Sequence, residues 1–127
     1  MAEKNEYFTQ KLENGPLQLS EDVVASVAAA AVLEVEGVCG LSSNISTDIA
    51  EMLGMKTMAR GIRLTPMKDG AVKIECDVVA KFGQSVFSLA KTVQDAVKYS
   101  VESDAGLTVA QVTVNICFIA MPKELKK

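Results

Sequence analysis

Apolar residues recur at the spacing of a helical face in two segments of the chain, residues 20–36 and 85–104. A period of three to four residues places such side chains on one side of a helix, where they can be buried. In the first segment this face consists of Val24, Val27, Ala28, Ala31 and Val35. In the second segment it consists of Val86, Leu89, Ala90, Val93, Val97 and Val101. The pattern predicts two amphipathic helices.

Residues typical of caps and turns stand at the ends of both helical segments. Ser20 precedes two acidic residues and is expected to cap the first helix through its hydroxyl oxygen. Gly37 and Gly106 follow the last apolar positions, where a glycine in the left-handed conformation commonly ends a helix. Gly83 precedes the second helix and is expected to form a tight turn. A phosphate-binding loop is the alternative, but a single glycine is weak evidence for one.

Four other segments alternate apolar and polar residues with the period of two that indicates β-strands. They are residues 17–19, 62–65, 72–80 and 109–119. The sequence Lys68-Asp69-Gly70 between the second and third of these segments is a strong turn signal. These two segments should therefore form a β-hairpin with one buried face and one solvent-exposed face.

The element order β-α-β-β-α-β predicts an α+β fold, with two helices packed on one face of a small, mostly antiparallel sheet. We expect one domain over residues 15–120, a flexible N-terminal tail over residues 1–14 and a basic C-terminal tail over residues 121–127. Residues 38–60 have no clear pattern and contain three methionines, which either form an adaptable binding surface or fill gaps in the core beneath a flexible lid. The three are Met52, Met55 and Met58.

Composition excludes several classes of function. The chain has 127 residues, a net charge of −3, few aromatic residues and no tryptophan, so nucleic-acid binding is not expected. It has no histidine, and Cys39, Cys76 and Cys117 are far apart in sequence, which favours reduced thiols over a metal site or a disulfide. No cofactor is predicted. The longest apolar run, residues 23–33, is too short to span a membrane, and no signal peptide is evident, so we expect a cytoplasmic protein.

Acidic residues stand near the carboxyl ends of both predicted helices, where the helix dipole disfavours them. If the first and third predicted strands run parallel, both helices end on the same side of the molecule. An acidic edge would then result, formed by Glu34, Glu36, Glu102 and Asp104. These side chains are either simply solvated or form a docking surface for a cationic partner, for example the lysine tail of a second copy.

Several sequence blocks resemble the alkaline shock protein family, also called envelope stress response proteins of Gram-positive bacteria. The N-terminal blocks are Gly15-x-Leu17-x-Leu19-Ser20, Val23-Val24-Ala25, Ala28 and Glu34-Val35-Glu36-Gly37-Val38. The C-terminal blocks are Phe82-Gly83, Val93-Gln94, Val97-Lys98, Val101-Glu102, Gly106-Leu107 and Val112-x-Val114. The resemblance covers residues 15–119.

The resemblance implies a small α+β cytosolic protein of envelope homeostasis without an assigned catalytic activity. Some relatives self-associate and are held at the membrane by a separate anchor protein, and others are similar to proteins implicated in control of fatty-acid synthesis.

Three classes of function follow from these observations. The first is a non-enzymatic scaffold of the cell-envelope stress response that binds a protein partner or a second copy, with possible tethering through an anchor protein. The second is a sensor in which the methionine segment covers an acyl or lipid-like ligand. The third is an enzyme that relies on carboxylates, lysines or thiols, since histidine is absent. Glu75 and Asp77 are two residues apart on the predicted solvent face of one strand, as ordinary solvated residues are, so we do not expect catalysis. We expect the first class.

Overall fold

The computed structural model describes residues 7–42 and 61–121. Its elements confirm the α+β class predicted from the sequence. In chain order they are β1 (Tyr7–Leu12), β2 (Gly15–Ser20), α1 (Glu21–Leu33), β3 (Val38–Leu41), β4 (Ile62–Pro66), β5 (Val72–Lys81), α2 (Val86–Ser100) and β6 (Val109–Ala120). A π-helical turn, Val101–Ala105, extends α2.

β5 is the central strand of the main sheet. β6 lies parallel to it on one side, and β3 and β4 lie antiparallel to it on the other, with β4 beside its first half and β3 beside its second half. The predicted hairpin of β4 and β5 is present, and Gly70 in its turn has the positive φ of 91° that favours glycine. Because the helices cover one face of this sheet, alternate side chains of β5 are buried, namely those of Val72, Ile74, Cys76, Val78 and Ala80.

The first strands differ from the prediction. Residues 7–12, assigned to a flexible tail, form β1, which pairs in antiparallel fashion with β2 and places Phe8 in the core. β1 and β2 form a sheet of their own, so the first predicted strand does not belong to the main sheet. Tyr7-Phe8-Thr9 and the turn signal Asn14-Gly15 could have indicated this hairpin. β3 is a further strand that the sequence pattern did not reveal.

Side-chain caps begin both helices. The Ser20 hydroxyl oxygen accepts a hydrogen bond from the Val23 N–H at 3.3 Å, and Ser85 accepts one from Ser88 N–H at 3.1 Å. α1 ends at Leu33, three residues earlier than the sequence pattern indicated. Gly37, Gly83 and Gly106 all have positive φ angles, and Gly106 ends the π-helical turn in the left-handed conformation.

Candidate protein-interaction surfaces

The predicted acidic edge does not form. The carbonyl oxygen of Gly37, beyond the end of α1, accepts hydrogen bonds from Lys81 N–H at 2.9 Å and from the Gln84 side chain at 3.0 Å. Gln84 comes just before α2, so Glu36 lies beside the start of α2. Glu102 and Asp104 follow the end of α2, a 15-residue helix of about 22 Å.

The topology explains the error. α2 connects two parallel strands and therefore runs opposite to β5. α1 turns back into β3, which is itself antiparallel to β5, so α1 runs in the same direction as β5 and opposite to α2. Glu34, Glu36, Glu102 and Asp104 therefore do not share one edge, although Glu34 and Asp104 border the same groove.

Glu102 binds within the chain. Its carboxylate accepts hydrogen bonds at 3.0 Å from both the Val109 N–H and the Lys98 ammonium group. The Val109 hydrogen bond, followed by that of Lys98, holds the pKa of Glu102 below its ordinary value. This side chain connects the end of α2 to the start of β6, so its role in the structure is internal.

A polar network crosses the face of the sheet opposite to the helices. Arg63 of β4 donates to both carboxylate oxygens of Asp77, at 2.8 and 3.0 Å, and forms an ion pair with Glu75 at 3.1 Å. The Asn115 amide of β6 donates to both acids at 2.8 Å. Asp77 was predicted to be solvated but is fully buried, and the Arg63 and Asn115 side chains bind it from the strands on either side. The sequence pattern did not reveal Arg63 and Asn115 as members of this network, although the hairpin register places Arg63 directly opposite Glu75.

Paired carboxylates of this kind do not suit acid–base catalysis. Hydrogen bonds from Arg63 and then Asn115 hold the pKa of Glu75 below its ordinary value. Burial by itself raises the pKa of Asp77, but hydrogen bonds from the same two residues outweigh burial and lower the pKa overall. A general acid or base functions best with a pKa near the working pH. Burial raises the pKa of the neighbouring Cys76 thiol to about 12, so this thiol is not a ready nucleophile.

The backbone of Asp77 also joins the two described parts of the chain. Its carbonyl oxygen accepts from Ser42 N–H at 2.8 Å, and its N–H donates to the Gly61 carbonyl at 2.8 Å. Gly61 has a φ of 88°, and an added Cβ would lie 2.5 Å from the Ser42 oxygen, so no side chain fits there. The methionine segment of the sequence analysis lies between these two residues, outside the described part of the chain.

Exposed apolar side chains concentrate where β5 and β6 end and α2 begins. A hydrogen bond of 3.2 Å from Phe82 N–H to the Ala120 carbonyl joins residues 82–87 to residues 118–121. We call these two segments the apolar end. Three of the four phenylalanines in the chain are exposed there, whereas Phe8 is buried. The exposed large side chains of the apolar end are Phe82, Val86, Phe87, Phe118, Ile119 and Met121.

A second apolar surface is a groove of about 510 Å³ along α1. Its side chains come from the outer face of α1, and Ser100 and Asp104 border it from the end of α2 and the turn that follows. The α1 residues are Asp22, Val23, Ser26, Val27, Ala30, Ala31 and Glu34. We call this surface the α1 groove. It has an apolar floor and acidic borders.

Neither a metal site nor a membrane span is evident in the described residues. In residues 7–42 and 61–121, no three or more cysteine, aspartate or glutamate side chains are grouped so that they could hold a metal ion. Among the helices of this part of the chain, none is long and apolar enough to cross a membrane.

Comparison with known proteins gives consistent matches. The model of the alkaline shock protein family, described as having a "cell envelope-related function", matches residues 9–121. The chain is 28% identical over 106 residues to the uncharacterized protein Spy1614 of Streptococcus pyogenes, covering 82% of this chain and 87% of that protein. It is 27% identical over 104 residues to the uncharacterized protein YloU of Bacillus subtilis, covering 80% and 86%. It is 24% identical over 102 residues to the uncharacterized protein YqhY of the same organism, covering 80% and 75%. No solved structure matches the chain.

Proposed function

Because this chain belongs to the alkaline shock protein family, which has a cell envelope-related function, we propose that it is a non-enzymatic scaffold of the envelope stress response. In this proposal it acts in the cytoplasm by binding proteins, among them a second copy of itself. A separate anchor protein would hold the assembly near the membrane. The apolar end is the observation that supports the proposal most directly.

The exposed phenylalanine rings of the apolar end favour burial against a partner. Full burial of one such side chain is worth about 1.5–3 kcal/mol, so a folded monomer gains by covering these rings. Single exposed apolar residues are common on protein surfaces, but a concentration of them usually marks an interaction site. Aromatic residues are also enriched among those that contribute most to binding.

The chemistry of the apolar end suits a second copy as its partner. Residues 82–87 and 118–121 contain no charged residue, so two copies can approach there without opposing like charges on these segments. A two-fold symmetric dimer buries the same patch on both copies, so each exposed ring that takes part is covered twice, once in each copy. Within residues 7–42 and 61–121, no comparable observation favours the acyl sensor, and the acidic borders of the α1 groove repel an anionic head group.

Sedimentation velocity across a range of protein concentrations tests self-association. The test variant is Phe87→Ser in the first turn of α2, and the matched control is Tyr99→Ser in its last turn, since the two rings are 74% and 73% exposed. We expect the wild type and Tyr99→Ser to associate alike, and Phe87→Ser to weaken association about tenfold or more. A wild type that stays monomeric at about 100 µM, which corresponds to a binding free energy weaker than about 5.5 kcal/mol, would contradict the proposal.

A second experiment tests the role in the cell. In the native host, we expect deletion of the gene to increase sensitivity to cell-wall inhibitors. A chromosomal copy encoding Phe87→Ser should have the same effect as the deletion, whereas Tyr99→Ser should behave as the wild type. Immunoblots must show equal protein levels, because a destabilised variant could lose function through degradation. Normal resistance with Phe87→Ser at equal abundance and without self-association would count against the scaffold.

A further inference from the structure

The outer face of α1 lacks the charged residues that surface helices normally carry. No residue from Val23 to Leu33 is charged, and Ser26 is the only polar one. A helix that is apolar on all sides is usually buried on all sides. Here Val23 is 45% exposed and Leu33 is 53% exposed. This face therefore has the composition of an interface.

The α1 groove has the dimensions of a helix-binding site. From Asp22 to Glu34 it follows about 18 Å of helix, which is the length of roughly three turns of a partner. The small side chains of Ala30 and Ala31 permit close approach, and packed helix axes lie about 8–10 Å apart. An amphipathic helix could place apolar residues at positions i, i+3 or i+4, and i+7 against this floor.

Charge at the α1 groove selects the kind of helix. Asp22 and Glu34 stand at its two ends, and Asp104 borders it from the turn after α2. Among the described residues that line the groove, none is basic. Basic residues of a partner would find three carboxylates there, whereas an acidic helix would be repelled.

We propose that the α1 groove binds a cationic amphipathic helix of a partner protein. The inference rests on the proposed scaffold function and specifies its second surface. No described residue that lines the α1 groove belongs to the apolar end, so the two surfaces can be altered by separate substitutions.

Fluorescence anisotropy with designed peptides tests the proposal on the full-length protein. The probe is a labelled 14-residue peptide with leucine at helical spacing and lysine elsewhere, compared with a peptide in which every lysine is glutamate. The charge variant is Glu34→Lys, which suits the negative end of the α1 dipole and should fold. The steric variant is Ala30→Leu, which fills the groove, and the control is Asp95→Lys, the same charge change at an exposed site that borders a different hollow.

We expect the lysine peptide to bind and the glutamate peptide not to bind. Glu34→Lys and Ala30→Leu should each weaken binding about fivefold or more, and Asp95→Lys less than about twofold. Equal losses for Glu34→Lys and Asp95→Lys would show attraction by net charge only and overturn the proposal. So would no binding of the lysine peptide at about 1 mM, or equal binding of both peptides.

Two further measurements separate this inference from its alternatives. Phe87→Ser, which tests self-association, should bind the lysine peptide as the wild type does, so failure of one proposal is visible apart from failure of the other. The lysine tail of the chain is tested by replacing its three lysines with glutamine. A gain in peptide affinity of about tenfold or more would identify this tail as the occupant of the groove and overturn the assignment to a partner protein.

Discussion

Replacement of Asp77 by asparagine tests whether the polar network stabilises the sheet. Asp77→Asn keeps the size of the side chain but removes the negative charge that accepts two hydrogen bonds from Arg63. The matched control is Glu75→Gln, the same chemical change two residues earlier on the same strand. Both acids contact Arg63 and Asn115, but Asp77 is fully buried and the Glu75 side chain is 42% exposed.

The structure sets the expected order of effects. Hydrogen bonds to a charged group are worth about 1.5–3 kcal/mol, so Asp77→Asn should lower the free energy of unfolding by about 2–3 kcal/mol. The remaining Arg63 side chain is 42% exposed and can turn to water or to Glu75. Arg63→Met should be more harmful, about 3–5 kcal/mol, because it leaves the buried Asp77 carboxylate without a cation. Glu75→Gln should be the mildest of the three.

Urea denaturation followed by far-ultraviolet circular dichroism measures these differences at pH 7. A loss of about 2–3 kcal/mol corresponds to a decrease of about 8–12 °C in Tm for a domain of this size.

The stability that Asp77 contributes should depend on pH. The pKa of Asp77 is lowered in the folded state, so its contribution to the free energy of unfolding is complete above the unfolded pKa of about 3.9 and disappears as the pH falls through the folded value. The gap between wild type and Asp77→Asn should therefore stay constant from about pH 5 to 8 and narrow below about pH 4.

Three results would contradict this account. Equal losses for Asp77→Asn and Glu75→Gln would mean that burial of the carboxylate does not determine its contribution. A smaller loss for Arg63→Met than for Asp77→Asn would mean that the buried acid does not depend on its cation. A gap that widens below about pH 4 would contradict the direction of the Asp77 pKa shift.

Three further predictions concern single sites. In urea denaturation, Gly61→Ala should lose more stability than Gly70→Ala. Both glycines have a positive φ, which costs an alanine about 1–2 kcal/mol, but only at Gly61 does a backbone atom lie where the Cβ would be placed. Equal losses would argue against this clash. In a thiol titration of the folded protein, the two exposed cysteines should react quickly and the buried Cys76 only after unfolding, and three fast thiols would contradict its burial. Glu102→Gln should destabilise the protein at pH 7, because the charged carboxylate accepts hydrogen bonds from Val109 and Lys98 that hold its pKa below the ordinary value. The difference from the wild type in urea denaturation should shrink as the pH falls through the lowered pKa, and a difference that is independent of pH would contradict this.

The family and the main elements follow from local information. The helical period of residues 85–104, the cap at Ser20 and the turn before β5 each depend on residues close together in sequence, and the structure has an element at each of these places. β1 was not predicted because the alternation of apolar and polar residues in it is short, although the turn signal Asn14-Gly15 indicates a hairpin there. The burial of Phe8 depends on the pairing of β1 with β2 and on the packing of that hairpin.

The relative direction of the two helices depends on the pairing of the strands. No local sequence pattern determines that pairing. Periodicity and sequence blocks are properties of consecutive residues, and they were sufficient to predict an α+β chain of a recognisable family. The burial of Asp77, the separation of the acids after α1 and α2, and the meeting of three phenylalanines at one end became visible only in the assembled fold. Each of these depends on the register and direction of strands distant in sequence, whose pairing energy comes from the complete sheet.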